Sequence, residues 1–188
     1  MKLIFATTNP EKLDEAKIAL APFGHEVEGR DFPFNEPMEG TLEEIARYKL
    51  EQVKEEGEYP IFVDDSGIFF NSYPQFPGIL TKRIFHLIGY KGIDKLLDGE
   101  SRKAYFQGVI AVKWKGKMKV FQGTTMGEIV SEIPIYLPND LRFPFDPIFI
   151  PEGDIQVLGD MTLERRVYYS YRRKALEALG QWLYQYQR

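Results

Sequence analysis

The opening of the chain sets the strongest limit on what it can fold into. Lys2, Leu3, Ile4, Phe5 and Ala6 form a short apolar, β-prone run that stops at the polar Thr7-Thr8-Asn9-Pro10. That is the pattern of a buried strand entering a tight loop. Asn9 is suited to cap a helix and Pro10 to take its first position, and Leu13, Ala16, Leu20 and Phe23 then recur at helical spacing until Gly24. A strand, loop and helix in immediate succession is the beginning of an α/β fold.

The rest of the chain extends this pattern. After a turn-rich passage at 31–40, Thr41-Leu42-Glu43-Glu44 spells a capping box for a second helix running to about residue 56. Ile61 to Val63 and Ile68 to Phe70 read as strands flanking an Asp64-Asp65-Ser66-Gly67 turn, with a loop at 73–78 beyond them. A helical stretch broken near Gly89 precedes strands at 104–114 and 118–124, joined by the turn Lys115-Gly116-Lys117. A final helix is expected from Ser170, burying Ala175, Leu176, Leu179, Trp182 and Leu183. With no repeat or linker, residues 1–188 are expected to form one α/β domain with a central mixed sheet and flanking helices.

Composition removes several kinds of chemistry. The absence of cysteine excludes disulfides, Cys-ligated zinc, iron–sulfur clusters and a thiol nucleophile, and only His25 and His86 remain for a histidine-based metal site. A bound metal is therefore expected to be oxygen-ligated. No apolar run approaches the roughly 18 residues of a membrane span, and residues 1–10 lack the pattern of a secretory signal, so a cytoplasmic protein is expected. The formal net charge of −4 conceals an asymmetry. Residues 11–64 hold 15 acids against 6 bases, a balance of −9, while residues 161–188 hold 2 acids against 6 bases, a balance of +4. No long basic stripe is available for duplex nucleic acid, which directs attention to a small, highly charged ligand.

Some charges are placed against the helix dipole. Helix N-termini disfavour cations by about 0.3–1 kcal/mol, yet Arg172, Arg173 and Lys174 follow Ser170 directly, and Lys12 holds the third position of the first helix. Either an anion binds at these helix starts, aided by the small polar Thr7-Thr8-Asn9 loop, or the side chains bend into water or pair with the acidic segment. Among the carboxylates, Glu44 is explained by its capping box alone. Asp64 and Asp65 follow a buried run and would stand at the mouth of a sheet or in a solvated turn. A carboxylate beside phosphates and lysines suits magnesium, which takes one or two carboxylates plus phosphate oxygens, with a second carboxylate free to orient or deprotonate water. Phe143-Pro144-Phe145-Asp146-Pro147 is either core or a platform on which a base stacks while Asp146 and an arginine read its edge.

Five blocks, Thr7 to Lys12, Thr41 to Lys49, Asp64 to Ile68 with Phe76-Pro77-Gly78, Phe143 to Phe149 with Pro151-Glu152-Gly153, and Ser170 to Ala175, resemble in order the signature blocks of the inosine triphosphate pyrophosphatase family. The resemblance implies an elongated α/β fold with a mixed sheet, two lobes and a cleft, and a homodimer. It also implies Mg²⁺-dependent hydrolysis of ITP, dITP and XTP to monophosphate and pyrophosphate, cleansing the nucleotide pool. Carried onto this chain, Thr7, Thr8, Asn9, Lys12 and Lys49 resemble phosphate contacts, with Lys12 also catalytic and Ser66 a further substrate contact. Glu44 and Asp65 resemble the metal and water-activating carboxylates, Phe143 the base-stacking residue, and Asp146, Arg166, Tyr171 and Arg172 the remaining substrate contacts.

The chain departs from the family pattern on the base-reading side. Tyr171 and Arg173 replace the histidine and glycine of the usual Ser-His-Arg-Gly, Arg166 replaces a lysine, and Asp140-Leu141-Arg142 and Pro144-Phe145 replace glycine-containing segments. Altered base selectivity is the expectation, since discrimination by hydrogen bonds depends on reach. A pyrophosphatase for modified pyrimidine or other nucleotides, a nucleotide-binding module without catalysis, and a structural protein are the alternatives.

Overall fold

β1 (Lys2–Ala6) and α1 (Pro10–Leu20) form as their residues dictate. The Asn9 side chain accepts from the backbone N–H groups of Glu11 and Lys12, and Pro10 stands at the first position. α1 ends at Leu20 rather than running to Gly24, because a 3₁₀ turn over Ala21–Phe23 tightens the exit before Gly24 reverses the chain at φ 70°. The structure, a computed structural model, describes residues 1–54, 57–134, 137 and 143–186.

The remaining elements are β2 (Glu26–Arg30), α2 (Leu42–Gln52), β3 (Ile61–Phe70), α3 (Thr81–Leu96), β4 (Lys103–Trp114), β5 (Lys117–Ile129), β6 (Phe149–Pro151), α4 (Leu163–Tyr169) and α5 (Tyr171–Tyr184). The strands form a mixed sheet in the order β2-β1-β3-β4-β5-β6. β1 pairs in parallel with β2 and with β3, placing Ile4 opposite Ile61, while β5 and β6 pair antiparallel. The α/β class with a mixed sheet and flanking helices is as expected. α3 is interrupted at Gly89, where φ is 57°, as the sequence indicated.

Three further local expectations are corrected. Asp64-Asp65-Ser66-Gly67 is not a turn between two strands, since β3 runs unbroken from Ile61 to Phe70. β1 pairs with the start of this strand at Ile61 and Phe62 and β4 lies on its other side, which outweighs the local turn preference, and Asp64 is tolerated in the buried strand because two cations neutralise it. α2 ends at Gln52, and the last two positions expected of it lie outside the described residues. β5 extends to Ile129, five residues beyond its expected end, because its far part pairs with β6. β2, β6 and α4 are additions.

The chain divides into two compact units, Met1–Ser66 with Gly108–Gly123 and Ser170–Arg188, and Gly67–Gln107 with Thr124–Tyr169. In the first, Phe5 stacks on Phe62 at 4.4 Å between ring centroids, within a core that includes Leu20 of α1, Ile110 of β4 and Leu176, Leu179 and Leu183 of α5. In the second, Phe145 is fully buried against Phe70 and Phe85 at 6.0 and 5.7 Å, and Phe106 packs on Phe149 at 4.8 Å.

Two glycines set the depth at which α5 begins. A Cβ on Gly123 would collide with the carbonyl oxygen of Tyr171, and one on Gly108 would collide with the Tyr171 ring. Gly123→Ala is expected to lower stability by about 1–3 kcal/mol, measured by urea unfolding, because the obstacle is backbone and cannot rotate aside. A loss below about 0.5 kcal/mol would mean that the start of α5 moves freely.

Candidate active site

The loop Thr7-Thr8-Asn9 carries the chain from β1 into α1. The Thr7 hydroxyl accepts from the Asn9 N–H at 3.1 Å while Asn9 caps the helix, so this small polar loop is internally fixed. Lys12 in the first turn donates from Nζ to Asp64 Oδ1 at 2.7 Å. The other carboxylate oxygen of Asp64 accepts from Arg172 Nε at 2.8 Å. Arg172 also donates from Nη1 to Glu15 Oε2 at 2.6 Å and from Nη2 to the Tyr171 hydroxyl at 3.2 Å. Ser170, which caps α5 by accepting from the Arg173 N–H, hydrogen-bonds Glu15 through its hydroxyl.

Arg172 and Asp64 are buried, exposing 3% and 7% of their surface, and Lys12, Glu15, Ser170 and Tyr171 around them are half-buried. Burial pushes the Asp64 carboxyl up, but Lys12 and Arg172 outweigh it and hold the group well below the usual carboxylate range. Burial likewise disfavours the Arg172 charge and is overcome by Tyr171, Asp64 and Glu15, so the guanidinium stays protonated. Of the two readings left open for the helix-start cations, pairing with acids describes Arg172 and Arg173, the latter bonded to Glu177 at 2.6 Å one turn along α5. Pairing with an acid describes Lys12 as well, whose ammonium bonds Asp64 from the first turn of α1.

A second group surrounds Asp65. Lys49, on the buried face of α2, donates to Asp65 Oδ1 at 3.1 Å and pairs with Glu36 at 2.6 Å. Burial raises the Asp65 carboxyl, aided by the adjacent Asp64 charge, and this outweighs the opposing pull of Lys49. Lys49 is raised despite its own burial because two carboxylates face it. A half-buried carboxylate with elevated proton affinity beside a fixed cation is suited to accept a proton from water.

Glu44 completes the predicted capping box. Its Oε2 accepts from the Thr41 N–H at 2.7 Å and from the Thr41 hydroxyl at 3.0 Å, and these bonds lower its pKa. The side chain is exposed, with Oε1 outside the box. Among the described residues no three His, Asp or Glu side chains gather as a ready metal cluster. Glu44 and Asp65 still fit magnesium by donor chemistry, being carboxylates that each commit one oxygen to a protein partner, and magnesium commonly takes the rest of its shell from phosphates and water.

Ser66 ends the first stretch of the first unit, whereas Phe143, Asp146 and Arg166 lie in the second unit. Phe145 belongs to the core, whereas Phe143 is half-buried. Asp146 pairs with Arg166 at 3.7 Å. The Tyr90 hydroxyl donates to the Pro144 carbonyl at 2.6 Å, and burial together with the Asp146 charge pushes it up to about 12. Residues 140–142, which depart from the family pattern, lie outside the described residues. Two participants were not foreseen, Glu15 and Glu36. Glu15 stands three positions after Lys12 and directly before the buried Ala16, a spacing that places it on the inner side of α1, whereas nothing in the turn-rich 31–40 passage marks Glu36.

The arrangement is an α/β sheet with paired cations and carboxylates at the starts of α1 and α5 and along α2. Residues 3–182 match the profile of the Ham1 family. The chain is 40% identical over 185 residues to the dITP/XTP pyrophosphatase of Thermococcus kodakarensis, covering 97% of each. It is 40% identical over 183 residues to the dITP/XTP pyrophosphatase of Methanopyrus kandleri, covering 97% of this chain and 96% of that one. Its fold matches the Ham1 protein of Staphylococcus aureus with a TM-score of 0.75 at 27% identity over the whole of both chains. A HAM1 protein of Coxiella burnetii matches in fold with a TM-score of 0.80 at 22% identity, over 98% of this chain and 99% of that one. The chain belongs to the Ham1 family. Among the described residues no helix is long and apolar enough to cross a membrane.

Proposed function

We propose that the protein hydrolyses the non-canonical purine nucleoside triphosphates dITP, ITP and XTP between the α and β phosphates, releasing a monophosphate and pyrophosphate in a Mg²⁺-dependent reaction. Relatives named dITP/XTP pyrophosphatase that align over nearly their full length support this. Lys12, Lys49 and Asp65 carry it: two fixed cations and one proton-accepting carboxylate, placed by α1, α2 and β3 within one compact unit. The N–H groups and dipole at the start of α1 add to the attraction for phosphate.

In this mechanism Thr7, Asn9, Lys12 and Lys49 hold the phosphate chain. Asp65 takes a proton from water as the water oxygen bonds to phosphorus, the α–β bridge breaks, and pyrophosphate departs with the bridging electrons. Glu44 and Asp65 are the carboxylates that would hold magnesium, which when bound neutralises charge on the phosphate oxygens. Phe143, Asp146 and Arg166 enter this proposal through the sequence resemblance alone, as do a homodimer and a cytoplasmic location.

The specific observation on base selectivity is the Tyr171 hydroxyl, which is hydrogen-bonded by Ser66 and by Arg172 Nη2. Both bonds use the phenol oxygen as acceptor and fix where it stands, so its reach to a 6-oxo group is set by the fold, which supports altered selection among purines. A panel of ITP, dITP, XTP, dUTP, modified pyrimidine triphosphates and the four standard nucleotides, with and without Mg²⁺, tests both points. Pyrophosphate should be released from the deaminated purines only with metal, at a kcat/KM at least tenfold above the standard set. Release of single phosphates would refute the bond assignment, and no turnover on any triphosphate would leave a binding module.

A further inference from the structure

Glu15 has no part in the mechanism above, yet it is built into the same unit. Its Oε2 accepts from Arg172 at 2.6 Å, its Oε1 is bonded by the Ser170 hydroxyl, and it sits one helical turn after Lys12. Arg172 Nε donates to Asp64 Oδ2, and Asp64 Oδ1 accepts from Lys12. The groups form a chain of alternating sign, Glu15, Arg172, Asp64 and Lys12, with two carboxylates balancing two cations. Asp64 is the shared member. The more of its carboxylate Arg172 takes, the less remains to neutralise Lys12, and Glu15 sets that division by holding the other edge of the guanidinium.

We propose that Glu15 is a positioning residue which, acting through Arg172 and Asp64, keeps Lys12 partly neutralised and so limits how tightly the start of α1 holds a phosphate chain, a role that rests on reading that loop and helix start as the phosphate site. An enzyme that releases pyrophosphate gains nothing from gripping substrate and product equally. Such uniform binding lowers KM without raising kcat, and tighter product binding slows release. Loss of the Glu15 charge would leave the chain of groups one positive charge in excess, with Arg172 turned fully onto Asp64 and Lys12 released toward the phosphates.

The test measures the affinity for inorganic pyrophosphate by calorimetry at fixed ionic strength, together with kcat and KM for dITP, in the wild type, Glu15→Asp and Glu15→Gln. Pyrophosphate affinity should rise about fivefold in Glu15→Gln, the scale of one added charge at this range in a partly screened site. KM and kcat for dITP should fall together. Glu15→Asp, which keeps the charge but shortens the reach, should lie between. A Glu15 that merely ties α1 to α5 predicts the reverse, weaker binding with a lowered Tm, and any affinity order other than Gln above Asp above wild type overturns the inference. Should Glu15→Gln fail to fold, the Asp variant decides by itself, a rise in affinity supporting the role and no rise refuting it. Wild-type protein that does not bind pyrophosphate would refute the phosphate-site reading and this role with it, which keeps the two failures distinct.

Discussion

Asp65→Asn is expected to lower kcat for dITP by about 10²–10⁴-fold, the range supplied by a positioned general base. The substitution keeps the shape of the side chain and removes its ability to accept a proton at neutral pH. Lys49 retains Glu36 at 2.6 Å, and Lys12 and Arg172 retain Asp64, so neither phosphate cation is released from its place. Nucleotide affinity should therefore change much less than kcat, which separates a chemical role from a binding role. The pH profile supplies a second readout. The wild-type rate should fall on acidification as the base becomes protonated, with burial raising the Asp65 carboxyl and magnesium, when bound beside it, lowering it. The residual activity of Asp65→Asn should lack that acidic limb. Activity within tenfold of the wild type, or an unchanged profile, would remove Asp65 from the chemistry.

The parts of this protein most legible in its sequence are those whose partners lie nearby in the chain. Asn9 with Pro10, Thr41 with Glu44, and Ser170 each identify a helix start, because a cap is satisfied within three residues. β2 is illegible for the opposite reason. Val27 is its only fully buried member, and only its pairing with β1 makes Glu26–Arg30 a strand. The Asp64-Asp65-Ser66-Gly67 passage shows the same limit at the site. Its local preference is a turn, and it stays extended because of its neighbours β4, Lys12 and Arg172, all distant in the chain. The residues by themselves leave a sheet mouth and a solvated turn open for this pair, and only the family resemblance singles out Asp65. In the fold, Asp64 is spent on two cations and Asp65 is left with elevated proton affinity. Arg172 was a cation in an unfavourable place with two explanations. Glu15, which decides between them, looks like any helical glutamate until the start of α5 is beside it.

Arg172→Met is expected to destabilise the protein by about 3–5 kcal/mol at pH 7, the cost of breaking a buried ion pair by removing one partner. Methionine fills much of the space left by the arginine stem, so the loss is electrostatic in origin. Asp64, 7% exposed, would keep Lys12 alone, and Glu15 would keep only the Ser170 hydroxyl. Acid should narrow the difference. In the wild type the folded-state pKa of Asp64 is depressed, so the stability it contributes is fully present above the unfolded value near 3.9 and is lost as pH falls through the folded value. The variant has forfeited most of that contribution and can neutralise its exposed imbalance by taking up protons. Urea unfolding at pH 7 and at about pH 2.5, below the unfolded aspartate value of about 3.9, should therefore show a smaller gap at the lower pH. Adding Asp64→Asn to Arg172→Met should cost less than the sum of the two single changes, since the pair is broken only once. A gap below about 1 kcal/mol at pH 7, or one that widens with acid, would show that the guanidinium is held by packing and that the charges around it do not stabilise the fold.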